Sequence, residues 1–482
     1  MSCRALTSLA TALLLSTSLT QAAQVPLAAA APDIPLDAQD RVYTADQFSN
    51  TVSVIDPATA TLLGVISLGD SQPNNLSPLY RGELLVHGLG FAPDGRTLAA
   101  VAIGSNAVTF IDTTTNQVKG KTYLGRAPHE AFFTPDGKEL WVTVRGEDYI
   151  AVIDPQTFHE ITRIKVPVGP GMQIFSPDGQ YGYVCSSFTP ETVVIAVAKH
   201  QIVGRVPQAS PFCPNIAASP DGQQVWFTLK DVGKTQVFAA KPPFGLLKTL
   251  DTGPITNHVN LVRNAKGSFA YVTVGGENRI KVFRTADFTQ VASIPVGALP
   301  HGLWPSGDGT RLYVGLENAD TVAVIDTLTN QVVGTLPVGQ APQALVYVPR
   351  AVAKGGGKDG LQPLRNVAKR VQIALAAPDK DSSHITQVTL FDQGLTQVLQ
   401  ASVTGLAAKQ PYVLALATQA DGHGPLESLA AFQSNPAGAA IVNAVGPIRQ
   451  LVQGRAADEH RYLVIAPGTP DAPGAPVQVQ VQ

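Results

Sequence analysis

The chain has 482 residues, with 34 Lys and Arg against 36 Asp and Glu and a formal net charge of −2. That balance argues against a protein that docks on nucleic acid through a basic face, and three cysteines exclude a disulfide-dense scaffold or a multi-thiolate metal cluster. Charged residues are only 15% of the chain while Gly (43) and Pro (37) are plentiful, a profile of many short strands joined by tight turns.

Arg4 is the only charge in the first thirty residues, and the apolar run Leu9–Leu19 follows it. With the small residues around Ala22 and Ala23 next, residues 1–23 read as a secretory signal. The run is shorter than the ~20 apolar residues that span a bilayer. The expectation is an exported protein, periplasmic or secreted, without a transmembrane segment. Residues 24–40 read as an N-terminal extension, and the mature form keeps only Cys185 and Cys213.

Self-similarity governs residues 41–349. Arg41-Val-Tyr leads to Thr51-Val-Ser-Val-Ile-Asp56, and Arg311-Leu-Tyr leads to Thr321-Val-Ala-Val-Ile-Asp326. With the closing Asp as marker, Asp56, Asp112, Asp154, Ala196, Ala239, Arg284 and Asp326 are spaced by 56, 42, 42, 43, 45 and 42 residues. A period near 42 with several strands per unit predicts propeller blades. Pro-Asp-Gly turns at Asp94, Asp136, Asp178 and Asp221 join first to second strands, and Asp-x-x-Thr turns at Asp56, Asp112, Asp154 and Asp326 join third to fourth. The first unit lacks an inner strand and Ala344–Val348 is left over, so the C-terminal strand is predicted to complete blade one, three strands plus one, and close a seven-bladed ring.

The segments Tyr271-Val-Thr-Val274 and Trp141-Val-Thr-Val144, with the Thr-Val-x-Val-Ile-Asp endings, resemble the YVTN-type β-propeller repeat family. The resemblance covers about Arg41 to Val348. It implies a seven-bladed propeller in an exported protein and no particular activity.

A propeller presents the residues entering each innermost strand around its central channel. Seven residues before the turn Asp stand His87, His129 and His301. The same neighbourhood holds Met172, Cys213 and His258 in other blades, and Gln343 before the closing strand. Imidazole, thioether and thiolate suit copper, and imidazole also suits other transition metals such as zinc, so these six side chains form a candidate metal set. Hydrogen bonding to a neighbouring blade and organic-ligand binding are the alternatives. Loops between second and third strands add Arg145, Glu277, Arg279 and Glu317 to the same face, among other charged residues, as a candidate ligand-binding rim. An insertion over roughly 71–84, with Tyr80, Arg81 and Glu83, is placed to overhang the channel.

Residues 350–370 carry Gly355-Gly-Gly357 and six cations, which predicts a flexible linker. Eight short alternating segments between Val371 and Val481 then predict a small antiparallel β-sandwich, within residues 371–482, without an active-site motif. Cys185 ends a second strand and Cys213 begins the first strand of the next blade, on one face, so a disulfide between them competes with Cys213 as a soft ligand. No Gly-x-Ser-x-Gly elbow, phosphate loop, His-Glu-x-x-His helix or haem-attaching Cys-x-x-Cys-His is present. The leading expectation is therefore an exported, monomeric, non-catalytic binding or scaffold protein, holding a partner protein, an envelope polymer or a small polar ligand. The alternatives are a metal-dependent or redox enzyme using hub histidines and, by propeller analogy, a lactonase-like enzyme.

Overall fold

The computed structural model describes residues 35–70, 82–365, 370–378, 385–393, 396–454 and 460–481. The expected signal peptide, and Tyr80 and Arg81 of the expected insertion, lie outside the described residues. Residues 41–348 form seven four-stranded antiparallel sheets arranged as a propeller. Closure follows the three-plus-one scheme: Pro342–Val348 pairs with Arg41–Asp46, with Val42 opposite Tyr347. Below this seam the buried Asp40 carboxylate accepts hydrogen bonds from the Tyr347 hydroxyl and the Arg350 N–H. No helix among the described residues is long and apolar enough to cross a membrane.

Turn chemistry holds each blade. Asp56, Asp112, Asp154 and Asp326 each accept two backbone N–H bonds from the residues two and three positions on. Gly95, Gly137, Gly179 and Gly222 take φ between 65° and 71°, where a Cβ would be strained. Packing between blades explains the Val-Thr-Val motif. Its valines are buried, and its threonine donates across to the next inner strand: Thr143 to the Gly171 carbonyl (3.0 Å) and Thr273 to the His301 carbonyl (2.9 Å).

The C-terminal region has the eight expected strands, plus a short ninth at Ala472–Pro473 and a helix at Ile448–Val452. Its strands join in one antiparallel sheet whose edge strands, Leu426–Gln433 and Ala440–Gly446, come back together, so it is nearly closed around its own core. This domain sits on the propeller. Phe391 packs edge-on against Phe48 with ring centroids 5.2 Å apart, and Ala439 and Ile441 pack against Ile255 and Leu299. Gln372 and Thr389 donate to the Asn318 carbonyl, and Arg370 approaches Asp320 at 3.7 Å.

The segment 350–365 differs from the expected flexible linker. Arg41 donates to the Gly356 carbonyl (2.7 Å), Asn116 to those of Gly357 and Asp359, and Val65 and Gln362 exchange backbone hydrogen bonds. It pairs with the outer strand of blade one at Val65, and propeller side chains satisfy the Gly356 and Gly357 carbonyls.

Candidate functional site

Each inner strand except the short Ile216–Ala218 carries a register shift near its start. An extra residue there leaves the ladder and re-aims its side chain. His87 lies between the paired Val86 and Gly88, His129 between Pro128 and Glu130, and His258 and His301 within the corresponding shifts of their blades. Only the closed ring brings these bulges together. His87 Nε2 is 3.0 Å from His129 Nε2, and the ring centroids of His258 and His301 are 4.6 Å apart. The His301 centroid is 6.3 Å from that of His87. The four imidazoles thus form one arc around the channel mouth.

Above the arc lies a cavity of about 540 Å³, bounded by the propeller face and the C-terminal domain. Its propeller wall adds Arg145, Phe212, Lys230, Asp231, Glu317 and Gln343, and the C-terminal domain adds Gln433, Asn435, Ile441 and Asn443 among others. The Asp231 carbonyl accepts from the Ala437 N–H (3.0 Å), which anchors that side of the cap.

Burial, reinforced by Arg145 and Lys230, lowers the His87 pKa to about 3. Burial, then His87 and Lys230, lowers that of His258 to about 3 as well. His129 and His301 are pushed well below the ordinary value by burial and by their histidine neighbours. All four are uncharged at neutral pH: weak bases, but free to make directed hydrogen bonds or to offer lone pairs. Burial lowers the Lys230 pKa, opposed by Glu317, and raises that of Glu317, opposed by Lys230. Arg145 lies over the rings of Phe212 (5.1 Å) and Phe188 (5.6 Å). It forms no ion pair among the described residues, and its buried Nε has no hydrogen-bond partner.

Not every candidate reaches this cavity. Glu277 pairs with Lys281 (2.9 Å), Arg279 is exposed on its strand, and neither lines the cavity. Glu83 is buried against Lys121 (2.7 Å) and Ser105, away from the mouth. Met172 is one position out of step: register makes Gly171 the counterpart of His129 and Met172 that of Glu130. Met172 and Glu130 line a chamber of about 30 Å³, walled also by Trp304 and by His258, which lines both spaces. Cys213 is joined to Cys185 in a disulfide, with Cα atoms 6.0 Å apart, so it offers no thiolate to a metal. Among the described residues no three His, Cys, Asp or Glu side chains converge closely enough to enclose one ion. The amides and Ile441 of the cap carry no local motif. Ile441 and Asn443 share one face because Val442 between them is buried in the domain core, a period-two signal that names a face but not what covers it.

Residues 107–341 match the family described as "Lactonase, 7-bladed beta-propeller". No curated protein matches the chain. Among solved structures, a chain of the Kuenenia stuttgartiensis hydrazine synthase aligns with a TM-score of 0.52 at 17% identity, over 66% of this chain and 99% of that one. A functionally unknown protein from Desulfotomaculum acetoxidans DSM 771 aligns with a TM-score of 0.53 at 15% identity, over 63% of this chain and 98% of that one. At these identities the likeness is one of fold.

Proposed function

We propose that this is an exported binding protein that holds a small organic anion, a carboxylate, in the cavity between propeller face and C-terminal domain. The observation that carries this reading is Arg145: a guanidinium on the cavity wall, stacked on Phe212, with no ion-pair partner among the described residues. A planar carboxylate matches its fork, and Lys230 adds a second cation on the same wall. The cavity volume is of the size that takes a small molecule. Because the C-terminal domain covers the hub, a small ligand is favoured over a protein or an envelope polymer at this site. The signal-like N-terminus supports export, and a disulfide is at home in an oxidising compartment.

The test is a panel of mono- and dicarboxylates, hydroxy acids and their neutral esters, read by thermal shift and calorimetry. Carboxylates should bind the wild type, the esters and Arg145→Gln should not, and equal binding of acid and ester would overturn the reading.

A second reading, lactone hydrolysis, is favoured by the family match, which spans His129, Arg145, Lys230, His258, His301 and Glu317. Here the cavity would position a ring ester whose product is the carboxylate. Hydrolysis of any lactone above the buffer rate, lost in Arg145→Gln, would decide for it; a blank panel would leave the binding role alone.

A further inference from the structure

One contact on the cavity wall joins two ring nitrogens. His87 Nε2 and His129 Nε2 are 3.0 Å apart, on adjacent blades and on bulged positions that fix their backbone. On the far side of its ring, His87 Nδ1 lies 2.9 Å from Gln47 Oε1. A side-chain oxygen only accepts, so Nδ1 carries the proton and Nε2 presents a lone pair toward His129. Outer-sphere acceptors that fix an imidazole in this way are what a metal-binding histidine requires.

The spacing has a direct geometric meaning. Two nitrogens each about 2.0 Å from one ion and 3.0 Å from each other subtend roughly 95° at it, the angle of neighbouring positions in a tetragonal complex. His301 is next along the arc. Its buried Nδ1 has no hydrogen-bond partner, and its ring centroid is 6.3 Å from that of His87.

We propose that His87 and His129 are the anchoring ligands of a divalent transition-metal site whose remaining positions are open to the cavity. Imidazole-rich sites of tetragonal geometry favour copper(II), which also leads the divalent affinity order. With Cys213 committed to its disulfide and Met172 in the smaller chamber, the set is all-nitrogen. This inference goes beyond the anion-binding reading and does not rest on it.

The experiment uses the full mature protein, stripped with chelator and dialysed, and copper(II) alone as the probe, titrated against a chromophoric chelator. One copper per chain is expected, with nitrogen hyperfine splitting from at least two imidazoles in the paramagnetic resonance spectrum of the wild type. His87→Ala and His129→Ala should each weaken binding by about 100-fold, and Gln47→Leu by about 10-fold through lost orientation of His87. His423→Ala, an exposed histidine of the C-terminal domain, should change nothing. Should a histidine variant not fold, the wild-type spectrum still decides. Sub-stoichiometric binding, a spectrum without imidazole nitrogen, or unchanged affinity in folded His87→Ala and His129→Ala would each overturn the proposal. Arg145→Gln separates the two readings: it should lose the carboxylate and keep the copper.

Discussion

Cys185 occupies in blade four the place that Thr143 and Thr273 occupy in blades three and six, and it reaches Cys213 of the next blade covalently where those threonines reach the next inner strand by a hydrogen bond. Tyr183-Val-Cys185 is thus the Tyr-Val-Thr motif with its inter-blade tie replaced. Thiol counting under denaturing conditions should find no free thiol in protein lacking residues 1–23, and two after reduction. Replacing both cysteines by alanine should cost about 2–5 kcal/mol. Cys185→Thr in the Cys213→Ala background should recover about 1 kcal/mol, because a hydroxyl restores the lateral hydrogen bond. Equal stability of the two double variants would refute this equivalence.

Arg145 should behave as a residue kept for binding at some expense in stability. A partly buried cation without a counter-ion is costly, and its ring contacts return only about 0.5–2 kcal/mol. Without ligand, Arg145→Met should therefore leave the melting temperature unchanged or raise it. Carboxylate affinity should fall at least tenfold, since a charge-assisted bidentate pair is lost. A clear loss of stability in the ligand-free variant would mean that Arg145 is structural.

Stability should depend on pH through the seam beside the cap. Burial raises the Asp46 pKa to about 7, against three hydroxyl donors, Thr44, Ser53 and Thr51. Burial raises that of Asp320 to about 6, against the Ala341 N–H and Arg370. Both folded values lie above the unfolded one, so their contribution is full below about pH 4 and is lost as pH rises through 6 and 7. At ~1.4 kcal/mol per pH unit between the free and buried values, Asp46 alone withdraws at most ~4 kcal/mol. Denaturant titrations between pH 4 and 8 should show this decline, and Asp46→Asn should flatten it. An unchanged slope in that variant would exclude Asp46 as its source.

The cap should loosen when its aromatic anchor is removed. Phe391 is fully buried and meets Phe48 across the domain boundary. Phe391→Ala should cost about 3–5 kcal/mol and speed hydrogen exchange in the Ala440–Gly446 strand that lines the cavity. Phe48→Ala, made on the propeller side, should produce the same exchange pattern. If exchange there stays at the wild-type rate in both, the cap is held by other contacts.

Much of this fold was legible because its signals are local. The Asp56, Asp112, Asp154 and Asp326 turns form within a few residues of one chain segment, and alternation places Val142 and Val272 in blade interiors whatever lies farther away. The hub histidines were legible for a related reason: a repeat puts equivalent residues at equivalent places, and His87, His129 and His301 follow it, while His258 stands one residue farther along, opposite Thr273 as Glu130 stands opposite Thr143. Met172 was grouped with them only as a neighbour: the count of seven back from Asp178 lands on Gly171, which is the counterpart of His129. The same counting also grouped Glu277 and Arg279 with Arg145, although their side chains turn away to Lys281 and to solvent.

The sequence by itself determined the number of blades, the order of strands and the three-plus-one closure, since each follows from short-range patterning repeated seven times. Only the tertiary structure decided that the C-terminal domain covers the hub, that Arg145 has no ion-pair partner among the described residues, and that His87 and His129 meet nitrogen to nitrogen. These relations join residues from 42 positions apart to more than 340. Their distances are set by ring closure and by the packing of Phe391 on Phe48, Ile441 on Ile255 and Arg370 near Asp320. No local propensity encodes such distances, because they are properties of how finished surfaces fit together.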